Sequence, residues 1–493
     1  MEKAFDNSLY LKIQSENILK RMETFGEKLY LEFGGKLFDD YHASRVLPGF
    51  KSDAKLQMLL KIKNKVEIVI VINAFDIENS KARADIGVKY ENEVLRLIDA
   101  FRDVNLLVGS VCITRYHSTP AVDKYILKLN NLGIKTYKHY AINGYPSDIE
   151  NIISENGFGK NEYIETTKPV VVVTAPGPGS GKMATCLSQL YHENKRSIKA
   201  GYAKYETFPI WNLPLNHPVN LAYEAATIDL ADVNMIDPYH LENYGKLTVN
   251  YNRDVEIFPV LKSLFIAING SCPYKSPTDM GVNAAGLAII NDEVAQKASK
   301  QEIIRRYLQA KVDLLNSKIT PSALDKAKLL MKKANLSVED RPCYLASLKK
   351  KEETGKESMA MELSDGTIIT GKDSNLLLAP AALLLNALKH LAKISDEFDL
   401  LPKSVIEPIS KMKVEVLHKH NPKLHLDEVL SALSISASTN PLAELALKKI
   451  AKLEYSEAHS TVILSSNDLD IFKKLKINVT TEPEYYARRI YHK

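Results

Sequence analysis

Cysteine is scarce in this sequence. Cys112, Cys186, Cys272 and Cys343 stand far apart, and no two of them form a CxxC pair. That spacing argues against a disulfide framework or a thiolate zinc site and points to a reducing, cytoplasmic compartment. Long apolar runs are missing too. The longest, 376–385, is half of the ~20 residues that a bilayer span needs. It reads as a buried helix, and no membrane partner is expected. Residues 1–20 are charged and polar throughout and lack the apolar stretch of a signal peptide. Charge of one sign is also lacking: 65 basic against 60 acidic residues leave +5 over 493 positions. The one dense basic block, Lys349-Lys350-Lys351, runs straight into Glu352 and Glu353. Nucleic-acid recognition needs a concentrated basic stripe, so no nucleic-acid partner is expected.

What remains is an ordinary globular composition, with 45% apolar and 25% charged residues. The length exceeds what one core can organise, and roughly two to four domains are expected. Strand and helix signals alternate through the first third. Strands are predicted at 29–33, 66–73, 105–114, 135–139, 170–173 and 197–206. Helices are predicted at 54–63, 90–101, 121–131 and 182–193. The β-branched run VEIVIVIN at 66–73 suits a strand buried on both faces. Such βαβ alternation predicts a mostly parallel, doubly wound sheet. A long aperiodic stretch follows at 207–251, rich in Pro, Asn, Asp and aromatics, and then helices at 253–268, 291–317 and 322–334. The last two read as a connector.

Polarity rises over 349–358, which reads as a linker or exposed loop. A second α/β unit follows. It has a hairpin at 361–370 around Asp365-Gly366, helices at 375–392, 425–436, 441–452 and 468–474, and strands at 413–417, 462–464 and 477–480. The organisation is therefore an N-terminal α/β region (1–300), a helical connector (301–345) and a C-terminal α/β domain (346–493).

The best-marked site is the segment VVVVTAPGPGSGKMAT at 170–185. A buried strand runs into Gly177, Gly179 and Gly181, and a helix begins near Lys182. Glycines let the backbone turn and bring its N–H groups close to an anion. The helix start adds partial positive charge and Lys182 a full one. Ser180 can donate a hydroxyl, and Thr185 follows on the helix.

The P-loop pattern G-x-x-x-x-G-K-[ST] matches at Gly181-Lys182, but its first glycine falls on Pro176 and its hydroxyl position on Met183. A phosphate cradle for ATP or another phosphate ligand is expected, and the need for Mg²⁺ is left open. A dinucleotide loop is the rival. Three alternating glycines give G-x-G-x-G, and Glu206 ends the next strand, where a ribose can be held. A glycine turn with no ligand is the third reading.

Other polar clusters are candidates for the rest of a cleft. Residues 32–49 place Arg45 in a loop after the first strand, available to a carboxylate or phosphate. Arg253 opens a helix with Asp254 and Glu256, which also suit the helix dipole. Asp279 lies in the turn-rich loop KSPTDMGVN, where a metal ligand, a general base and a plain loop residue are all open. Asp76, Asp229, Asp232 and Asp237 compete as Mg²⁺ carboxylates. His418 and His420, with His425 nearby, read as solvated histidines because no cysteine or carboxylate accompanies them at ligand spacing. Cys186 reads as a small packed thiol.

The segment TAPGPGSGKMATCLSQLYHE (174–193) resembles the bacterial family catalogued as domain of unknown function 1846, or uncharacterised protein family 0371. So do LYLEFGGKLFDDYHASRVLPGF (29–50), TFPIWNLPLNHPVNLAYEAAT (207–227), TVNYNRDVEIFPVL (248–261) and YKSPTDMGVN (274–283). The stretch LSDGTIITGKDSNLLLAPAALLLNALKHL (363–391) resembles the second region of the same family, so the likeness spans essentially the whole chain.

It implies an α/β N-terminal region, a helical segment and a C-terminal domain similar in topology to the cytidine-deaminase fold. No His/Cys/Cys zinc signature accompanies that domain. Members of the family have been labelled ATP-dependent peptidases, but this sequence has no HExxH, no G-x-S-x-G elbow and no AAA-type second motif. Three functions are carried forward. The first is a phosphate- or nucleotide-dependent transferase, ligase or hydrolase acting on a small polar metabolite. In it Gly177, Gly179, Ser180, Gly181, Lys182 and Thr185 bind phosphate, Lys182 stabilises charge, and Arg45, Arg253 and Asp279 position substrate. The second is an NAD(P)-binding oxidoreductase, and the third a non-enzymatic nucleotide sensor or scaffold. A homo-oligomer is compatible with all three.

Overall fold

The computed structural model describes residues 2–34, 37–38, 40–83, 87–230 and 232–486. The chain divides into two compact units. One holds 2–224 with 232–296, and the other holds 225–231 with the chain from 297 onward.

The first unit is built on a sheet of seven strands. Its strands are β1 (Lys28–Phe33), β2 (Val66–Asn73), β3 (Leu107–Tyr116), β4 (Lys135–Tyr140), β5 (Val170–Thr174), β6 (Ala200–Tyr205) and, after a small antiparallel pair β7 (Asn234–Ile236) and β8 (Val249–Tyr251), β9 (Gly281–Val282). The order is β4-β3-β2-β5-β1-β6-β9, and every neighbouring pair is parallel. The sequence explains the middle of this sheet. All eight positions of β2 and all five of β5 are buried. A parallel strand covered on both faces has no polar side to show, so valine and isoleucine run on without alternation.

Helices cover both faces. Successive side chains in a strand point to opposite sides. Tyr30, Val69, Val71, Val171, Val173 and Tyr202 join one core with Cys186 and Leu190 of the Lys182–Lys195 helix and Phe258 and Phe265 of the Asn252–Asn269 helix. The opposite face carries Tyr205, whose hydroxyl meets that of Tyr10 at 2.5 Å. Tyr10 belongs to the Asn7–Phe25 helix. That helix is missing from the sequence-based expectation because its buried positions include Asn7, Gln14 and Ser15, which blur the apolar stripe. Gln14 earns its place by donating to the Val282 carbonyl at 2.7 Å and accepting from the Ala284 N–H at 2.7 Å.

The stretch 207–251 is not one long loop. It holds the helices Pro218–Ala226 and Pro238–Tyr244 and the strands β7 and β8. Its Asn, Asp and Pro residues act as local ties. Asn220 exchanges side-chain bonds with both backbone groups of Ile210, at 2.8 and 3.1 Å. Asp237 caps the Pro238–Tyr244 helix.

The second unit carries its own mixed sheet, with β10 (Ser358–Glu362), β11 (Ile368–Lys372), β12 (Glu457–Ser460) and β13 (Asn478–Thr481) in the order β11-β10-β12-β13. β10 is antiparallel to both neighbours, and β12 and β13 are parallel. The Ala379–Ala392 helix fills its core with Leu383, Leu384 and Leu388. Among the described residues no helix is long and apolar enough to cross a membrane.

Three expectations change here. Residues 349–354 are no linker but the end of the Pro342–Thr354 helix, stopped by Gly355 in the left-handed region at φ 63°. Its lysines and glutamates are the exposed face of a helix that packs on β10. Residues 412–416 form a π-helical turn extending the Lys403–Lys411 helix, in place of a strand. Lys413 is buried there, with Nζ donating to the Lys423 carbonyl at 2.6 Å and paired with Glu428 at 2.7 Å. The strand expected at 462–464 is β12, shifted upstream to Glu-Ala-His-Ser, a sequence with no β-branched residue to mark it.

Candidate functional site

β5 ends at Thr174 on the carboxyl edge of the sheet, and the glycine loop follows. Gly179 and Gly181 take positive φ, +76° and +89°, which a side chain would resist. Gly177 is required for another reason: a Cβ there would stand 2.0 Å from the Tyr90 hydroxyl.

Gly181 caps the Lys182–Lys195 helix without any side-chain cap. The first helical bond runs from the Thr185 N–H to the Gly181 carbonyl, at 2.9 Å. Among the described residues, the N–H groups of Gly181, Lys182, Met183 and Ala184 meet no acceptor. Lys182 is half-buried and makes no ion pair among the described residues. The loop carbonyls are held on the other side. Thr114 Oγ1 donates to the Ser180 carbonyl at 2.7 Å, Ser180 Oγ to the Gly177 carbonyl at 2.9 Å, and Asn73 Nδ2 to the Gly179 carbonyl at 3.4 Å. Donors are left open while acceptors are tied back, which is the polarity an anion selects.

The strand order puts this loop at a switch point. The chain leaving β2 turns toward β3, and the chain leaving β5 crosses β1 to reach β6. β2 and β5 are neighbours whose exits run in opposite directions, which opens a crevice between their carboxyl ends. Asn73 ends β2 in that crevice, and its Oδ1 also accepts from the Phe75 N–H at 3.0 Å.

The predicted site residues separate into distinct places. Ser180 is fully buried and its hydroxyl is used inside the loop. Thr185 is buried beside the Cys112 thiol. Both candidate hydroxyls thus lie in buried surroundings, that of Ser180 bonded within the loop. Arg253 is gripped by Asp232 through Nε at 2.6 Å and Nη2 at 2.9 Å. Asp279 closes a capping box with Ser276 and accepts from the Tyr244 hydroxyl at 2.9 Å. Its Oδ2 serves local structure, accepting the Lys275 and Ser276 N–H groups at 3.0 and 3.1 Å at the start of the short Pro277–Met280 helix.

Arg45 lies in the short Tyr41–Val46 helix, half-buried and engaged with its surroundings. The cap of that helix, Asp40, pairs with Lys55 at 3.0 Å, and Lys55 donates to the Gly34 carbonyl at 3.2 Å. Burial pushes the Asp40 carboxyl up, but Lys55 outweighs it and holds the group below its ordinary range. Gly35, Lys36 and Asp39 of this stretch lie outside the described residues.

Among the competing carboxylates, Asp237 is committed to the Thr278 hydroxyl at 2.6 Å and the His240 N–H at 3.0 Å, and Asp232 to Arg253. Asp229 belongs to the second unit. Asp76 follows Asn73 closely; one of its oxygens pairs with Lys81 at 3.1 Å and the other is buried without a hydrogen bond among the described residues. No group of three or more His, Cys, Asp or Glu among the described residues is arranged to hold a metal. Cys186 is sealed in the core. Burial drives its thiol far up, Glu32 adds to this and Lys182 opposes it, so it is a packed thiol and not a nucleophile.

Glu206, the acid expected to hold a ribose, is buried and pairs with Lys204 at 2.8 Å. β1 separates β5 from β6, so Glu206 is not on the strand beside the glycine loop, as the dinucleotide arrangement requires. Sequence reasoning missed Asn73, Tyr90 and Thr114. Asn73 did carry a signal, as the polar end of the apolar run at 68–72, whereas Tyr90 and Thr114 reach the loop only through the fold.

A parallel-sheet unit with a glycine loop at its switch point, joined to a mixed-sheet unit, defines a two-unit α/β protein. The chain matches the family described as domain of unknown function DUF1846, N-terminal, over residues 3–335 and its C-terminal counterpart over 339–491. It belongs to that family. It is similar to UPF0371 protein str1377 of Streptococcus thermophilus (strain CNRZ 1066), 54% identical over 492 residues and 100% of both chains. It is also similar to UPF0371 protein SpyM50764 of Streptococcus pyogenes serotype M5 (strain Manfredo), 53% identical over 490 residues and 99% of both.

Proposed function

We propose that the loop at Gly177–Lys182 binds the phosphate of a nucleotide or small polar metabolite, and that the protein is a phosphate-dependent transferase, ligase or hydrolase. One observation carries this reading: among the described residues four helix-start N–H groups and the Lys182 ammonium have no acceptor or ion pair, at a loop whose carbonyls are tied to Thr114, Asn73 and Ser180. Lys182 neutralises charge on the phosphate. If Mg²⁺ takes part, Asp76 would supply the carboxylate, because one of its oxygens has no hydrogen-bond partner among the described residues and it follows Asn73, which bonds the loop at Gly179. The C-terminal sheet order is the feature we liken to a cytidine-deaminase topology.

A second reading has its own support. Met183 occupies the hydroxyl position of the P-loop pattern and Thr185 is buried. That favours binding without turnover, as in a nucleotide sensor. A thermal-shift panel separates the readings, using ATP, GTP, NAD(P), inorganic phosphate and sugar phosphates with and without Mg²⁺. Stabilisation by a phosphate compound, lost in Lys182→Ala, supports the assignment, and turnover of that compound selects the enzyme. Equal shifts in both proteins remove the loop from the account.

A further inference from the structure

We propose that Lys204, Glu206 and Asp254 form a proton-transfer centre in the same cleft, and that the substrate is a small phosphorylated sugar or polyol whose phosphate rests on the glycine loop. This rests on the phosphate reading above. β6 ends at Tyr205 and delivers Glu206 to the carboxyl edge of the sheet. Lys204 Nζ lies 2.8 Å from Glu206 Oε1 and also contacts Asp254, from the first turn of the Asn252–Asn269 helix. Both carboxyl groups thus contact that one ammonium. Glu32 of β1 adds a third negative charge within reach of Lys204.

One cation does not balance these carboxylates in a buried place, so one carboxyl retains a proton. Glu206 is the one, being 7% exposed. Burial pushes its carboxyl up to about 7, with Lys204 opposing and Asp254 reinforcing. The other groups around it do not change charge near neutrality. Asp232 and Arg253 neutralise each other, and the phenols of Tyr202 and Tyr251 are held up by burial. Lys204 stays charged, because the carboxylates outweigh its burial, and so is no nucleophile.

A second observation points to a ligand. Among the described residues the Trp211 Nε1 donor is buried without an acceptor. The Trp211 and Glu206 side chains meet at Gly281, where a Cβ would stand 2.4 Å from Trp211 Cζ2 and 3.2 Å from Glu206 Oε2. An unpaired donor near a carboxyl group suits a substrate hydroxyl. The side chains of Lys204 and Asp254 keep 16% and 13% exposure, so the cluster has an opening. β5 and β6 flank β1, which sets the two sites roughly 10 Å apart, two strand spacings. In the step itself, the ionised form of Glu206, present beside the protonated form near pH 7, takes the proton of a substrate hydroxyl. The bonding pair stays on the substrate oxygen, and the reverse transfer restores both.

The test is titration calorimetry near pH 7 in buffers of different ionisation enthalpy, with glycerol 3-phosphate, ribose 5-phosphate, glucose 6-phosphate and inorganic phosphate. At least one organic phosphate is expected to bind about tenfold more tightly than inorganic phosphate, with a proton exchange that Glu206→Gln removes. Inorganic phosphate should bind that variant as it binds the wild type. Asp254→Asn, a second variant, should move the proton exchange to lower pH. Unchanged proton exchange in Glu206→Gln, or no organic phosphate tighter than inorganic phosphate, overturns this proposal and leaves the loop assignment standing. Wild-type protein that binds no phosphate compound at all overturns both.

Discussion

The hydroxyl of Thr114, at the end of β3, donates to the carbonyl of Ser180 across 2.7 Å. β3 is two strands away from β5, so this bond fixes the glycine loop against the body of the sheet. It also turns the Ser180 carbonyl away from the open side. Thr114→Val removes the donor and keeps the shape. The expected outcome is a loss of about 1–2 kcal/mol in urea unfolding, because a buried acceptor is left unpaired, together with weaker phosphate binding.

The three loop glycines should differ in a set order. Gly181→Ala meets a left-handed backbone and Thr114 atoms at 3.1 Å. It should cost about 1–2 kcal/mol or more and spoil the helix start. Gly177→Ala drives a Cβ into Tyr90 and should disturb the loop, with partial relief in the double variant with Tyr90→Phe. Gly179→Ala has open space and should cost only its backbone term, about 1 kcal/mol. Thermal melts of the three variants check the order, and equal effects would contradict it.

The C-terminal unit depends on Arg341. This fully buried guanidinium donates to Thr480 at 3.1 Å, to Glu457 at 2.6 Å and to the carbonyls of Ala458 and Asn478, each at 2.9 Å. It stitches the start of the Pro342–Thr354 helix to β12 and β13. Arg341→Met should remove about 3–5 kcal/mol from the unfolding transition of this unit. The midpoint in urea reads it, and a shift below about 1 kcal/mol would contradict the anchoring role.

Acid should weaken the first unit through His139. Burial lowers this imidazole from 6.5 to about 4. Its Nε2–H donates to the Glu162 carbonyl at 3.0 Å. Between pH 6.5 and 4 the unfolded chain binds a proton that the native one refuses, so stability falls as pH falls through that window. The melting temperature of His139→Gln should decline less steeply over the same range. Parallel curves for the two proteins would contradict the assignment.

Much of the first unit is legible in the residues, for physical reasons that differ from place to place. β2 and β5 announce themselves because a parallel strand covered on both faces favours a nearly continuous apolar run, interrupted in β2 only by Glu67 before its end at Asn73. The glycine loop does so because few other sequences can turn from such a strand into a helix. The Asn7–Phe25 helix is obscured by Gln14, a buried polar residue whose partners at 282 and 284 are far along the chain. Lys413 hides in the same way: a charged residue in an alternating K-V-E-V-L pattern suggests an exposed strand, but its partners Lys423 and Glu428 bury it. The site shows the same limit. Lys182 and the glycines are visible as a motif. Asp279 and Arg253 stand out as polar candidates, yet Asp279 is held by its own capping box and by Tyr244, and Arg253 by Asp232, which the fold brings close.

The most direct test of the central claim is calorimetric titration of inorganic phosphate and ATP into wild-type protein and Lys182→Ala, at low ionic strength. The account predicts saturable one-site binding to the wild type and at least tenfold weaker binding to the variant, with both proteins melting at the same temperature without ligand. Equal affinity in the two proteins, or no binding to the wild type, would contradict it.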